Sequence, residues 1–396
     1  MSAVGDKQFS MSQGVLYPLL IECSRVDPCP ERLETYAAEI SDWSGALDSA
    51  YAHGVFPLVA KTLKNVTAVP ETVKQTLKTV NLEIARRNMQ MSAELRNVIE
   101  LLEAHDIQVL ALKGPVLSQT IYGDITSRQY MDIDVLIPRE QLYAAAEILL
   151  GHGYTSEHSI EFLKNRTLLK VAKDFSLFSP ESRVHIEFHW QLFLPRQVKK
   201  SNIELFSGNN PTVDISGRAV MTLGDDENLI YLLLHGSKHM WERLEWIVDI
   251  DRIIRLRHNL IDWQHLNLLA EKMEIKVMYY LGLAITHKVF NTPMPASILQ
   301  VIKGMEKVQI ACEFIIGEML KGGLLVENTK AFAFRNLYRM RLNKDNRWAI
   351  VRHYATTLFQ LKDSDVYMVN LPRSLACLYQ FTRIYRMAGF YLFGKS

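Results

Sequence analysis

The stretch LKGPVLSQTIYGDITSRQYMDIDVLI, residues 112–137, decides the fold. Just upstream, IQVLAL (107–112) is a short continuous apolar run with β-branched residues, as in a buried strand. Lys113-Gly114 interrupts it, and the next residues read as a short helix opened by Pro115 and closed by Gly123. MDIDVLI then alternates at the period of a half-buried strand. Asp132 and Asp134 therefore share one face, while Met131, Ile133, Val135 and Ile137 take the other and anchor the strand in the core. Pro138 stops it.

Working outward, REQLYAAAEILLGHGY reads as a helix with a Gly-rich end. DFSLFS and VHIEFHW read as strands, and Pro180-Glu181-Ser182-Arg183 between them is a turn, so the pair forms an antiparallel hairpin. The middle of the chain is thus β-α-β-α-β-β. Residues 12–105 are helical in pattern, with Leu82, Ile84, Met89, Met91, Leu95, Val98, Ile99 and Leu102 on one face of a long helix. From about 225 the pattern is helical to the end, through 225–257, 262–290, 296–320 and 327–361. The boundaries predicted are an N-terminal helical region (1–105), an α/β core (106–195), a polar linker (196–224) and a C-terminal helical domain (225–396).

The bulk composition suits a globular chain: 396 residues, 48% hydrophobic and 22% charged. With 45 basic and 43 acidic residues, the net charge of +2 gives no electrostatic reason to expect nucleic acid as a partner. The four cysteines lack CxxC spacing, which fits neither a zinc knuckle nor a disulfide framework and favours a reducing compartment. The N-terminus does not read as a signal peptide, and no apolar run is long enough to span a bilayer. The expectation is a soluble cytoplasmic protein with no membrane span.

Asp132 and Asp134 side by side repel unless a positive charge separates them, and oxygen-only ligands would suit Mg²⁺. A solvated strand edge is the alternative reading of such a pair. Lys113-Gly114 lies between a strand and a helix N-terminus, where free N–H groups and a close backbone favour an anion; a plain tight turn is the alternative. Arg128, four residues before Asp132, is either a structural counter-ion or a triphosphate clamp. Alternation puts His185, Glu187 and His189 on one face of their strand and Ile186, Phe188 and Trp190 on the core face. If this strand lies beside that of Asp132, three carboxylates converge, enough to hold two divalent ions about 3.5–4 Å apart.

The order of these pieces, LKG, a short helix ending in Tyr122, Arg128, the strand DIDVL and the later EFHW, resembles the uncharacterised nucleotidyltransferase family of the polymerase-β-like superfamily. The likeness is closest over 107–190 and extends more loosely into LLLHGSKHMWERLEWIVDIDRI. It implies an α+β fold: a polymerase-β-like core with a small mixed sheet, flanked by N-terminal helices and a C-terminal helical domain. It also implies catalytic metal ligation by Asp132, Asp134 and Glu187, and nucleotide binding by Lys113, Gly114 and Arg128. Two departures stand out: Pro115 replaces the serine that usually follows the glycine, and Glu187 replaces the commoner aspartate.

His235, His239, Trp246 and Asp249 fall on one stripe of a helix. The two histidines either pack against the core or line the cleft and meet substrate; the HxxxH pair lacks the glutamate of a zinc protease. Trp241 and Trp246 read as packing residues. His189 is a partner of Glu187, a general base in contact with substrate, or a structural histidine; Asp174 either adds to the acidic cluster or, the favoured reading, is a solvated residue at the start of its strand. The basic, aromatic C-terminal RSLACLYQFTRIYRMAGFYLFGKS reads as an amphipathic helix docked on the core with its arginines solvated; contact with a membrane or an anionic acceptor is the alternative. The function expected is transfer of a nucleoside monophosphate from a nucleoside triphosphate, with Mg²⁺ or Mn²⁺, to an acceptor hydroxyl or phosphate on a small molecule, sugar phosphate or peptide. A catalytically silent nucleotide-binding module and a phospho-sugar transferase are the rival readings.

Overall fold

The computed structural model describes residues 13–181, 183–193, 210–320 and 361–393. At its centre is a five-stranded mixed sheet in the order β1-β2-β5-β4-β3. The strands are β1 (Leu110–Ala111), β2 (Asp132–Leu136), β3 (Thr155–Ser156), β4 (Asp174–Phe178) and β5 (His185–His189). β2 and β5 run parallel and the other pairs run antiparallel. The β4–β5 hairpin forms as its turn residues predict. β1 is shorter than IQVLAL suggested. It pairs with β2 at two positions only, and beyond it Thr222 Oγ1 donates to the Ala111 carbonyl at 2.7 Å.

Alternation sorts the two faces. Ile133, Val135, Phe175, Leu177, Ile186 and Phe188 are buried on one side. They pack in one hydrophobic cluster with helix α7 (Leu142–Gly151) and the C-terminal half of α5 (Glu71–Glu103). Met131 departs from the expected pattern. It precedes the first paired residue of β2 and is half exposed (52%) rather than anchored in the core. On α5 the buried stripe is Ile84, Asn88, Met91, Leu95, Val98 and Leu102. Leu82 and Met89, placed on that face from sequence, are about 60% exposed. They lie two residues from Ile84 and Met91, about 200° around a 3.6-residue turn, which sends them to the opposite side.

Helix α6 (Gly114–Tyr122) begins and ends as read, with Gly123 in the left-handed conformation at φ 74°. Gly114 also has positive φ (54°), so the sharp turn out of β1 needs glycine. The first part of the predicted linker, 196–209, lies outside the described residues; the rest contains regular structure. Thr212–Ile215 (β6) and Arg218–Met221 (β7) form a hairpin whose Ile215 and Val220 join the sheet's core cluster.

The helix expected over 225–257 is two helices, α9 (Asp225–Lys238) and α10 (Leu244–Arg257). The chain turns sharply between them, with Met240 and Trp241 both at positive φ. Trp241 is fully buried, and its ring lies against Gly236 of α9 and Gly282 of α12 (Lys276–Phe290). Tertiary packing of that ring offsets the strained backbone. Further helices are the short α8 (Leu168–Val171), α11 (Trp263–Lys272), α13 (Ala296–Gly304) and α14 (Glu306–Leu320). The helix expected at 327–361 falls almost wholly outside the described residues. Helices α1 (Gln13–Ser24), α2 (Pro30–Ala38), α3 (Trp43–Ala52) and α4 (Phe56–Leu63) share a hydrophobic cluster with α9–α14. In the C-terminal segment, Arg383 is buried rather than solvated. It pairs with the fully buried Asp365 at 3.3 Å, and Arg386 meets the same carboxylate at 2.7 Å. Among the described residues no helix is long and apolar enough to cross a membrane.

A Cβ at Gly236 would sit 2.4 Å from the Trp241 ring. Alanine normally strengthens a helix by about 1 kcal/mol over glycine, whereas overpacking costs about 1–3 kcal/mol. Gly236→Ala should therefore lower the urea midpoint; a raised midpoint would show that Trp241 is not locked there.

Candidate active site

The site lies on the sheet face opposite the α5 and α7 core. Because β2 and β5 are parallel and in register, Asp132 lies beside His185 and Asp134 beside Glu187. β4 continues the face with Ser176 beside Glu187 and Asp174 beside His189. The carboxylates therefore meet as alternation predicted, and their ligand atoms form two groups. Asp132, His185 and Glu187 make one, and Asp134, Glu187 and His189 the other; within each, the atoms lie within 4.8 Å of one another.

Asp134 is buried and already engaged. Its Oδ2 is 3.2 Å from Lys113 Nζ and its Oδ1 is 2.7 Å from His189 Nε2. The same His189 nitrogen is 3.2 Å from Glu187 Oε2. Burial disfavours the ionised form of Asp134, but Lys113 and His189 overcome it and hold the carboxyl well below its usual range. Asp132 goes the other way: burial and the neighbouring Asp134 raise it, with Lys113 only partly compensating. Lys113 keeps its proton against burial because Asp134 faces it. The fully ionised cluster thus carries more negative charge than the protein's own cations balance at Asp132.

Lys173, not foreseen as a site residue, pairs with Asp174 and lies 3.4 Å from His189 Nδ1. Asp174 is accordingly part of the polar cluster, not a solvated strand end. His185 Nε2 is 2.9 Å from Ser176 Oγ. These additions amend the expectation of oxygen-only donors, since each group of ligand atoms contains an imidazole.

Helix α9 lies against this face. Lys113 Nζ is 5.6 Å from the Tyr231 ring centroid, and the Tyr231 hydroxyl is raised by burial and influenced by Lys113 and Asp134. Tyr231 is one helical turn before His235, so the Tyr231–His235–His239 spacing held a signal for it. Burial and then Lys113 push His235 well below its usual pKa, which keeps it neutral beside the cationic lysine. The His235 and His239 rings are 4.9 Å apart, and Trp246 from α10 packs on both. The predicted stripe is rebuilt across a turn, without Asp249.

Asp249 instead explains Arg128. The Arg128 Nε and Nη2 donate to the Asp249 carboxylate at 2.9–3.1 Å, and both residues are buried. Tyr122 donates to the same carboxylate at 2.7 Å. Arg128 is not brought into the acidic cluster as a triphosphate clamp. Its fork is held by Asp249, the structural counter-ion role that the sequence had left open. This clamp fixes the loop leading into β2 against α10.

The model of a family described as uncharacterised nucleotidyltransferase matches residues 39–291, from just after α2 to the end of α12. The chain belongs to this nucleotidyltransferase family. No curated protein and no solved structure matches it. The family match spans the sheet, α9 and α10, so the acidic face and the helix over it are both within the family's shared region. A family of nucleotidyltransferases implies a transferase with a nucleoside triphosphate substrate.

Removing one side of the buried Arg128–Asp249 pair leaves an uncompensated charge, a loss of about 3–5 kcal/mol. Arg128→Met should lower unfolding stability in urea by that amount. A loss below about 1 kcal/mol, typical of exposed pairs, would return Arg128 to the solvent side of the site.

Proposed function

We propose that this protein is a metal-dependent nucleotidyltransferase with a polymerase-β-like core, transferring a nucleoside monophosphate to a hydroxyl or phosphate acceptor on a small molecule, sugar phosphate or peptide. The in-register pairing of Asp134 with Glu187, with Asp132 on the same face, is the observation that carries this reading. The donor set fits a divalent cation: Asp132, Glu187 and His185 would hold one, and the charge excess at Asp132 favours it. Imidazole beside carboxylate suits Mn²⁺ better than Mg²⁺, which prefers oxygen ligands alone. Such a cation would neutralise charge on the triphosphate.

The protein's own groups divide the remaining tasks. Lys113 and the Gly114 backbone at the start of α6 would hold phosphate oxygens. Asp134, fixed by Lys113 and His189, positions the lysine. Glu187, with 24% of its side chain exposed against 3% for Asp134, is the carboxylate open to an acceptor. An acceptor oxygen would attack the α-phosphorus in line, its proton passing toward Glu187 as the bond to the β-phosphate oxygen breaks and pyrophosphate leaves. Tyr231, His235 and His239 line the α9 side, where base or acceptor would rest.

One observation favours a second reading. Both Asp134 oxygens are already occupied, by Lys113 and His189, as a silent nucleotide-binding module would tolerate. Incubation with each common nucleoside triphosphate and Mn²⁺ or Mg²⁺ separates the two. We expect metal-dependent pyrophosphate release, and Asp132→Ala should weaken metal–nucleotide binding more than about tenfold with an unchanged circular dichroism spectrum. Nucleotide stabilisation without turnover would favour the silent module, and undiminished binding by Asp132→Ala would refute the site itself.

A further inference from the structure

A second cleft is lined by none of the carboxylates of the acidic face. It encloses about 370 Å³, within the range of small-molecule sites. Its walls are the α1–α2 junction, α4, the end of α6 with the following loop, and Arg252 of α10. Leu33, Leu58, Val66 and Val26 supply apolar lining. Arg25, Lys61 and Arg252 supply cationic lining, against a single lining acid, Glu34.

The commitments of these charges differ. Both Glu34 oxygens accept backbone N–H groups, from Thr67 at 2.7 Å and Ala68 at 2.9 Å. Arg25 is spent on Glu22 and on the Phe290 and Val289 carbonyls. Arg252 is not. Its guanidinium lies over the Tyr122 ring at 4.5 Å, its Nη2 reaches the Ser24 carbonyl only at 3.5 Å, and its Nε is buried without a hydrogen-bond partner. Lys61 makes no ion pair among the described residues; Asp124 feels its charge at longer range. The Arg252 Nε is closed to the cleft, but among the described residues the Nη groups carry only the 3.5 Å contact to Ser24, so an anion in the cleft would gain a charge-assisted hydrogen bond there.

We propose that this cleft binds a small amphipathic organic anion, its carboxylate or phosphate on Arg252 and Lys61 and its apolar part against Leu33, Leu58 and Val66. The Tyr122 hydroxyl is held by Asp249, so Tyr122 offers the ligand its ring. Tyr122 and Ser127, which line the cleft, bracket the turn that joins α6 to the loop carrying Arg128, so an occupant would touch the connection between Lys113 and β2. The site stands independently of the nucleotidyl-transfer reading.

Calorimetric titration of the full chain, without metal or nucleotide, tests it with phenyl phosphate, benzoate and inorganic phosphate. At least one organic anion should bind saturably and more tightly than inorganic phosphate, and the stronger of the two identifies the head group. Arg252→Met should weaken that binding about tenfold or more. Lys61 is exposed, so Lys61→Met keeps the fold and should weaken it in the same direction. No saturable heat with either organic anion, or undiminished binding by Lys61→Met, would overturn the anion site. Equal affinity for inorganic and phenyl phosphate would overturn its amphipathic character.

Discussion

Two like charges held in register on adjacent strands are the constraint around which this structure is arranged. Asp134 and Glu187 are neighbours across a parallel pair, with Asp132 two residues away on the same face. Carboxylates this close in a partly buried setting are unfavourable unless cations face them. Lys113 and His189 meet Asp134, and Lys173 meets Asp174 at the edge. This places Lys113 at the mouth of α6 and explains why the chain leaves β1 through a left-handed glycine.

A separate set of interactions keeps the surroundings in place. The Arg128–Asp249–Tyr122 cluster ties the approach to β2 and the end of α6 to α10. Trp241, seated against Gly236 and Gly282, sets the angle between α9 and α10 and so brings Tyr231 and His235 over the acidic face. The basic groups divide accordingly. Arg128 is consumed by architecture, Lys113 faces the acidic site, and Arg252 faces the second cleft.

The sheet and its acidic face were legible because strand alternation has a period of two, so DIDVL and HIEFH declare their faces without further knowledge. Gly123 and the Pro180 turn were equally local signals. Other features depend on residues far away in the chain. Arg128 finds its partner 121 positions later, and nothing near Arg128 distinguishes a buried counter-ion from a phosphate clamp. The break at 239–243 was missed because apolar spacing runs through it; only the pocket for Trp241 between two glycines explains the left-handed turn. Apolar residues occur on both sides of the long α5, so apolar spacing alone does not fix which side Leu82 and Met89 take; the buried Asn88 and Ser92 set the phase. Tyr231 and Lys173 went unnoticed because tyrosine and lysine are common, and their placement beside the carboxylates is a tertiary fact.

The most direct measurement is an anomalous-difference map from a crystal soaked with Mn²⁺ and a non-hydrolysable nucleoside triphosphate analogue. The account predicts a peak about 2.2 Å from oxygens of Asp132 and Glu187, with the His185 imidazole in the coordination shell and the phosphates reaching Lys113. Carboxylates that stay bridged only by Lys113 and His189, with manganese bound elsewhere or not at all, would contradict it.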